Sequence, residues 1–339
     1  MKVIHVSEAE GSVLCHDITE IVPGKFKGRA FKKGRIVRKE DISKLLNLGK
    51  EHVYVWELSD TLVHEDDAAI RIARAAAGPG IFQVEPSEGK VALKAAISGL
   101  LKINAAALDE INSIDQIVLA SLHTNQLVKA GSTVAGCRVV PLVIDAEKLV
   151  AVENLCRTHA PVVEIKPLRN LKVGLVTTGG EVFHGRIKDA FGPVVRNKIA
   201  ELGSQVVRQI YAPDDVEMIR EAIQTLIGEG AEMILTTGGM SVDPDDVTPA
   251  AIRSVGGRVV AYGAPVLPGS MFMLAYLGDI PIVGLPGCVM YHKTTIFDLI
   301  LPRILAGDEI TRQDVARLGH GGLCLECSDC HFPNCSFGK

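Results

Sequence analysis

From Leu171 onward the chain repeats one rhythm: a short apolar run, a turn rich in Gly, Thr and Asp, then a segment whose apolar positions recur at helical spacing. That alternation predicts strands over 172–176, 206–211, 233–235, 258–262, 272–277 and 281–284, and it is the signature of a mostly parallel α/β sheet. Between the strands, Pro193 opens a helix that Gly203 ends, with Val195, Ile199 and Leu202 along one side. Asp214 is expected to cap the next, with Glu217 as its capping-box partner and Val216, Ile219, Ile223 and Leu226 as the buried stripe. Thr248 is expected to cap a third helix with Pro249 at its first position, and 289–305 reads as one long helix.

The pattern before Leu171 is different. Residues 1–60 read as a small β-rich unit in which alternating segments at 2–6 and 52–56 flank a helix at 40–48, whose apolar face is Ile42, Leu45, Leu46 and Leu48. In 61–165 a helix over 66–77 is stopped by Gly78-Pro79-Gly80. Val91, Leu93, Ala96, Ile97 and Leu100 suggest a second helix over 89–101, with a third near 105–111. Alternation with Gly131 and Gly136 suggests a hairpin over 128–144, and a helix at 146–157 leads to Pro161 and Pro167, the expected boundary. The first half is therefore expected to be a smaller mixed α+β region preceding the α/β domain.

Composition narrows the partners. A chain of 339 residues with 47% hydrophobic residues can bury more than one core, and a net charge of −4 lacks the basic excess that nucleic acid or an anionic membrane would select. One local exception, the eight basic residues Lys25, Lys27, Arg29, Lys32, Lys33, Arg35, Arg38 and Lys39, reads as the solvated face of a hairpin. The most apolar region, 280–305, is interrupted by His292, Lys293 and Asp298, so no bilayer span is expected. The opening residues lack a signal-peptide core, which predicts a cytoplasmic location.

Chemistry concentrates at the strand-end turns. The strand at 233–235 empties into Thr236, Thr237, Gly238 and Gly239, a turn whose glycines permit positive φ and present amide N–H groups to an anion such as a phosphate. Ser241, Asp243, Asp245 and Asp246 follow, hard oxygen donors suited to Mg²⁺ carrying substrate phosphates. A second such turn, Thr177-Thr178-Gly179-Gly180-Glu181, follows the strand at 172–176. Right-handed crossovers leave these turns and Leu285-Pro286-Gly287 on one edge of the sheet, where they can line one cleft.

With those motifs in place, 171–305 resembles the molybdopterin-binding domain of molybdenum-cofactor biosynthesis proteins, of the molybdopterin molybdenumtransferase type. The resemblance rests on Thr178-Gly179-Gly180-Glu181, Pro213-Asp214-Asp215, Thr237-Gly238-Gly239 with Ser241 and Asp246, Pro268-Gly269 and Leu285-Pro286-Gly287, in that order. It implies a three-layer αβα domain that binds molybdopterin or its adenylylated form, inserts molybdate and releases AMP, and it implies a homodimer. It also implies that Thr178, Gly179, Gly180, Thr237, Gly238, Gly239, Ser241, Pro268, Gly269, Ser270, Pro286 and Gly287 contact the cofactor. Asp246 and Glu181 would place Mg²⁺, and Asp189 stands where the family carries a site acid, which makes these three the catalytic candidates. The sequence also departs from the family. Leu267 and Ser270 replace two lysines around the Pro-Gly step, Cys288 replaces an asparagine, and 1–160 lacks the Asp-Gly-Tyr type motif that supplies acids from a partner subunit. Those departures leave open a carrier or sensor that holds the cofactor without catalysis and docks a molybdoenzyme or cofactor-synthesis partner.

Four of the eight cysteines crowd into the end of the chain. Cys324, Cys327, Cys330 and Cys335, within a tail spanning 318–339, follow a C-x2-C-x2-C-x4-C spacing, with His320 and His331 nearby. In a reducing compartment this clustering predicts metal ligation rather than disulfides, and the spacing suits either tetrahedral zinc or an iron–sulfur cluster. Cys15, Cys137 and Cys156 are expected to be ordinary buried thiols.

Overall fold

The structure is a computed structural model that describes residues 2–22, 25–55 and 61–339; Trp56, at the end of an expected strand, lies outside them. The chain divides into two units, one formed by Met1–Ala96, Ile103–Leu122 and Gly131–Glu164, the other by Ile97–Lys102, His123–Ala130 and Ile165–Lys339. No helix is long and apolar enough to cross a membrane among the described residues.

In the first unit the strands Lys2–His5 and His52–Val55 pair antiparallel beside the helix Lys39–Asn47, over a core of Val6, Leu14, Ile18, Phe31, Leu45 and Val53. Ile18–Val22 and Phe26–Phe31 form the hairpin that carries the first basic residues, and several of the cations are neutralised locally: Arg29 by Asp17 at 2.9 Å, Arg35 by Asp41 at 2.8 Å and Lys33 by Asp66 at 2.9 Å. A four-stranded antiparallel sheet follows, in the order Ile81–Gln83, Lys90–Ala95, Thr133–Val139, Ile117–Ser121, with the helix Glu65–Ala76 packed on it.

Two expectations fail here. The segment 89–101 is not a helix but the strands Lys90–Ala95 and Gly99–Ile103. Val91, Leu93 and Ala95 are all buried, and that period of two outweighs the sparser helical matches at 96, 97 and 100. Nor is 128–144 a hairpin: Thr133–Val139 pairs with Lys90–Ala95 on one side and Ile117–Ser121 on the other, while Leu127–Val128 pairs with Gly99–Ile103 and Val143–Asp145 with Leu62–His64. Each segment finds a distant partner, which alternation alone cannot specify.

The second unit contains the α/β domain. Its elements run β1 (Lys172–Thr178), α1 (Phe191–Glu201), β2 (Gln205–Ala212), α2 (Val216–Gly228), β3 (Met233–Thr237), α3 (Thr248–Ser254), β4 (Arg258–Tyr262), β5 (Met273–Leu277), β6 (Ile280–Leu285), α4 (Ile296–Leu305) and α5 (Arg312–Arg317). The six strands lie in the order β2-β1-β3-β6-β5-β4. The first four are parallel, and β5 and β4 add an antiparallel edge.

The sheet separates two cores. Leu175, Leu235 and Val283 point to one that includes Val195 and Ile199 of α1 and Ile300 of α4. Their strand neighbours Val176, Ile234 and Ile282 enter the other, with Ile219 and Ile223 of α2 and Ile252 of α3. Burial on both faces explains why these strands read as continuous apolar runs, and helices on both sides give the three layers.

Three local readings are corrected. The segment 289–305 is a 3-10 turn, Gly287–Met290, followed by α4, because Thr295 and Asp298 build a capping box that starts a new helix. Val247, not Thr248, is the N-cap of α3; Thr248 is fully buried with its hydroxyl 3.1 Å from that of Thr178. Asp215 caps α2 through the Met218 N–H at 2.9 Å, which frees Asp214 to accept from the Gly180 N–H at 2.8 Å.

Candidate functional site: a glycine-lined cleft at the strand ends

The carboxyl ends of β1, β3 and β6 meet where the sheet changes direction of chain crossing, the place where open α/β sheets hold ligands. Thr237 Oγ1 donates to Thr177 Oγ1 at 3.2 Å, and Gln209 Nε2 donates both to Thr177 Oγ1 at 2.8 Å and to Asp189 Oδ2 at 2.6 Å. This ladder ties the ends of β3, β1 and β2 together beneath the turns. Thr177 entered the sequence analysis only as the first residue of the second turn, and Gln209 carries no motif there; its role comes from standing beside β1 in the sheet.

The turn after β3 is forced to be glycine. Gly238 and Gly239 have φ of 90° and 55°. A Cβ on Gly238 would press into the Thr178 carbonyl oxygen and lie 2.8 Å from its hydroxyl; one on Gly239 would lie 2.7 Å from the Thr248 hydroxyl. The first Thr-Gly-Gly turn thus buttresses the second. Beyond the glycines, the N–H groups of Gly239, Met240 and Ser241 find no acceptor among the described residues. Consecutive open amides in a left-handed turn form a concave donor surface for an anion.

That surface opens on a cleft of about 480 Å³. Its walls are Gly238 to Ser241 and Asp246 on one side, Leu267 to Met271 on a second, and Leu285 to Cys288 on a third. Of the residues expected to bind a cofactor, Gly238, Gly239, Ser241, Pro268, Gly269, Ser270, Pro286 and Gly287 line it, while Thr237 lies below them at the end of β3. Among the described residues Asp246 is the one carboxylate in the lining, and no Lys, Arg or His is present there. Its Oδ2 accepts from the Asp243 N–H at 3.0 Å, which closes the 243–246 loop, and its other oxygen has no protein partner among the described residues.

Thr178, Gly179, Gly180, Glu181 and Asp189 stand outside this lining. The Gly180 amide is already engaged by Asp214, so it is not an open donor. Glu181 is exposed on the short helical turn Gly180–Phe183. Asp189 spends both oxygens within the fold: Oδ1 accepts from the N–H groups of Phe191 and Gly192 at 2.9 Å each, which starts α1, and Oδ2 accepts from Gln209. Met240 and Met271 add apolar, adaptable walls that the motifs did not indicate. Burial pushes the Cys288 thiol up from its usual range, so it sits in the wall as the neutral form.

The tail lies against the same wall. Leu267 exchanges backbone hydrogen bonds with it, its N–H donating to the Gly322 carbonyl and its carbonyl accepting from the Cys324 N–H, both at 2.8 Å. Thr294 Oγ1 and Cys330 Sγ share a hydrogen bond at 3.4 Å, and that hydroxyl, with the Phe332 N–H, holds the Cys330 thiol below its usual range. Cys15, Cys137 and Cys156 are buried, and burial raises the Cys137 thiol to about 12 and the Cys156 thiol to about 11.

Fold and cleft together define an α/β domain with a run of open amides at its strand ends. Residues 174–306 match the family described as a probable molybdopterin binding domain, and the α/β unit is a domain of that molybdenum-cofactor biosynthesis type. Residues 3–57 match a second family, described only as a domain of unknown function. Among curated relatives, the molybdopterin molybdenumtransferase of Synechococcus elongatus is 26% identical over 40% of this chain and 36% of its own length. That of Haemophilus influenzae is 29% identical over 42% and 37%. A CinA-like protein of Mycobacterium avium is 32% identical over 28% and 22%. The chain therefore spans little more than a third of the length of the transferases it matches. Among solved structures, the molybdopterin biosynthesis enzyme MoaB of Thermus thermophilus is 22% identical, with 41% of this chain and 98% of that one covered at a TM-score of 0.33.

Proposed function

We propose that this chain acts in molybdenum-cofactor biosynthesis by binding molybdopterin, or its adenylylated form, in the cleft between Gly238, Pro268 and Pro286. The observation that carries the proposal is the run of open amides from Gly239 to Ser241 beside the Asp246 carboxylate, inside a domain of molybdopterin-binding type. The amides suit the terminal phosphate of the pterin. The free Asp246 oxygen suits Mg²⁺, which takes one or two protein carboxylates and completes its shell with water and phosphate oxygens. Mg²⁺ bound there would neutralise charge on the phosphates; Asp246 would orient it, and the Asp243 N–H would hold Asp246. Two of the matched relatives carry transferase names, and the corresponding reaction here is molybdate insertion with release of AMP.

A second reading has its own observation. Among the described residues no cationic side chain lines the cleft, and Leu267 and Ser270 occupy positions where molybdate or a departing phosphate would gain charge-assisted hydrogen bonds from lysine. A site that binds through amides and one metal, without those cations, is suited to carrying or sensing the cofactor. The deciding experiment incubates the protein, purified without oxygen, with adenylylated molybdopterin, Mg²⁺ and molybdate, and follows bound pterin and free AMP together. AMP release with active cofactor supports insertion, and pterin retention without AMP supports the carrier. Failure to retain pterin at all would overturn both.

A further inference from the structure

Outside the cleft, one cluster of reactive side chains has a built environment. Cys324, Cys327, Cys330 and Cys335 line a single cavity of about 230 Å³, with Thr294 and His331 in its wall. All four are free thiols. The loop that carries them is fastened at several points. Its first arm pairs with Leu267 through the Cys324 N–H, and its end returns to its start through the Gly338 N–H, which donates to the Gly321 carbonyl at 2.9 Å. Gly321 has a φ of 84°, and a Cβ there would run into the carbonyl oxygen of Lys339, so the closure needs glycine. Phe337 is 3% exposed in the core beneath α4, with the Phe332 ring edge-on to it at 6.3 Å. A solvated, purposeless tail has no reason to bury an aromatic anchor and close on itself.

The arrangement of the thiols distinguishes two metal chemistries. Tetrahedral zinc needs its four sulfurs about 2.3 Å from one point. The cavity that the four thiols line, about 230 Å³, is far larger than one ion needs. The four thiols surround a chamber instead. An iron–sulfur cluster places each thiolate on a different iron and fills the space among them with iron and sulfide.

We propose that Cys324, Cys327, Cys330 and Cys335 ligate an iron–sulfur cluster held against the wall of the α/β domain between Leu267 and Thr294. The inference rests on the tail alone and stands whether or not the cleft binds a pterin. Its placement has a consequence: Leu267 belongs to the cleft wall and to the tail pairing, and 288–294 runs from the cleft to the cluster chamber, so the two sites share a boundary.

The test uses the full chain purified anaerobically and reconstituted with ferrous iron and sulfide under a thiol, with zinc offered in a parallel sample. The expected result is iron and acid-labile sulfide in equal amounts per chain and a broad visible absorption that dithionite bleaches. The double variant Cys327→Ser/Cys330→Ser should lose bound iron and sulfide, with Cys288→Ala retaining both. Tight zinc at one ion per chain without sulfide, or a folded wild-type chain that retains no iron, overturns the proposal. Undiminished iron and sulfide in the double variant overturns the ligand assignment. If the double variant fails to fold, the wild-type iron, sulfide and zinc contents still decide.

Discussion

Replacing Gly238 with alanine is the sharpest test of how the cleft is built. The backbone there has a φ of 90°, and the added methyl would press into the Thr178 carbonyl oxygen and sit 2.8 Å from the Thr178 hydroxyl. Holding an L residue in left-handed backbone costs about 1–2 kcal/mol. Forcing a methyl into packed structure costs about 1–3 kcal/mol more, and the obstacle here includes backbone, which cannot swing aside like the end of a side chain. The two contributions give about 2–5 kcal/mol of destabilisation, a large share of the roughly 5–15 kcal/mol that holds a domain together. Gly228→Ala is the matched control: no atom lies within 4 Å of its would-be Cβ and its φ is ordinary, so it should be neutral or stabilising by about 0.4–1 kcal/mol. Urea unfolding measures both as shifts of the midpoint at unchanged slope. A Gly238→Ala protein within about 0.5 kcal/mol of wild type, the range of an ordinary surface change, would refute the claim that the two Thr-Gly-Gly turns interlock.

Three further outcomes follow from the same geometry. Asp246→Ala should abolish the Mg²⁺ dependence of pterin binding or AMP release while leaving metal-free binding through the amides largely intact; titration with and without Mg²⁺ checks this, and an unchanged metal dependence would remove Asp246 from the site. Leu267→Lys with Ser270→Lys should raise AMP release above wild type, because both positions line the cleft and Leu267 is 56% exposed and can accept a longer side chain; equal rates would mean the missing cations do not limit turnover. Asp314 should make the fold acid-sensitive. Burial pushes its carboxyl up, but hydrogen bonds from Thr311 and from the Arg303 guanidinium at 2.9 Å outweigh it and hold the pKa down to about 2. Because the folded value lies below the unfolded one, the contribution is present above an unfolded carboxylate's pKa of about 4 and is lost as pH falls through about 2. Asp314→Asn should therefore flatten stability against pH in that window, and an unchanged slope in urea midpoints from pH 4 to 2 would contradict it.

How much of this was legible depended on how local the physics is. The α/β strands were visible because residues such as Leu175, Leu235 and Val283 must be apolar on a sheet covered on both faces, and the helices because Ile219, Ile223 and Leu226 repeat at one helical spacing. The glycine turns were visible because left-handed backbone excludes most other residues. By contrast, the strand Lys90–Ala95 reads as a helix from sequence, since a short apolar run fits both periods until its partners on either side are known.

The site shows the same division. The sequence by itself determined that a Gly-rich turn follows β3, that acids follow the turn, and that four cysteines stand close along the chain, all consequences of spacing within a few residues. Only the tertiary structure decided that Asp189 accepts from the first two amides of α1, that Asp214 engages Gly180 while Asp215 caps α2, and that Thr178 stands behind Gly238 rather than in the cleft. It alone brought Leu267 between the cleft and the cysteine tail. A carboxylate or a hydroxyl is chemically fit for capping, buttressing or ligand binding alike. Which of these it does is set by the donors that folding brings within about 3 Å of it, and those come from distant parts of the chain.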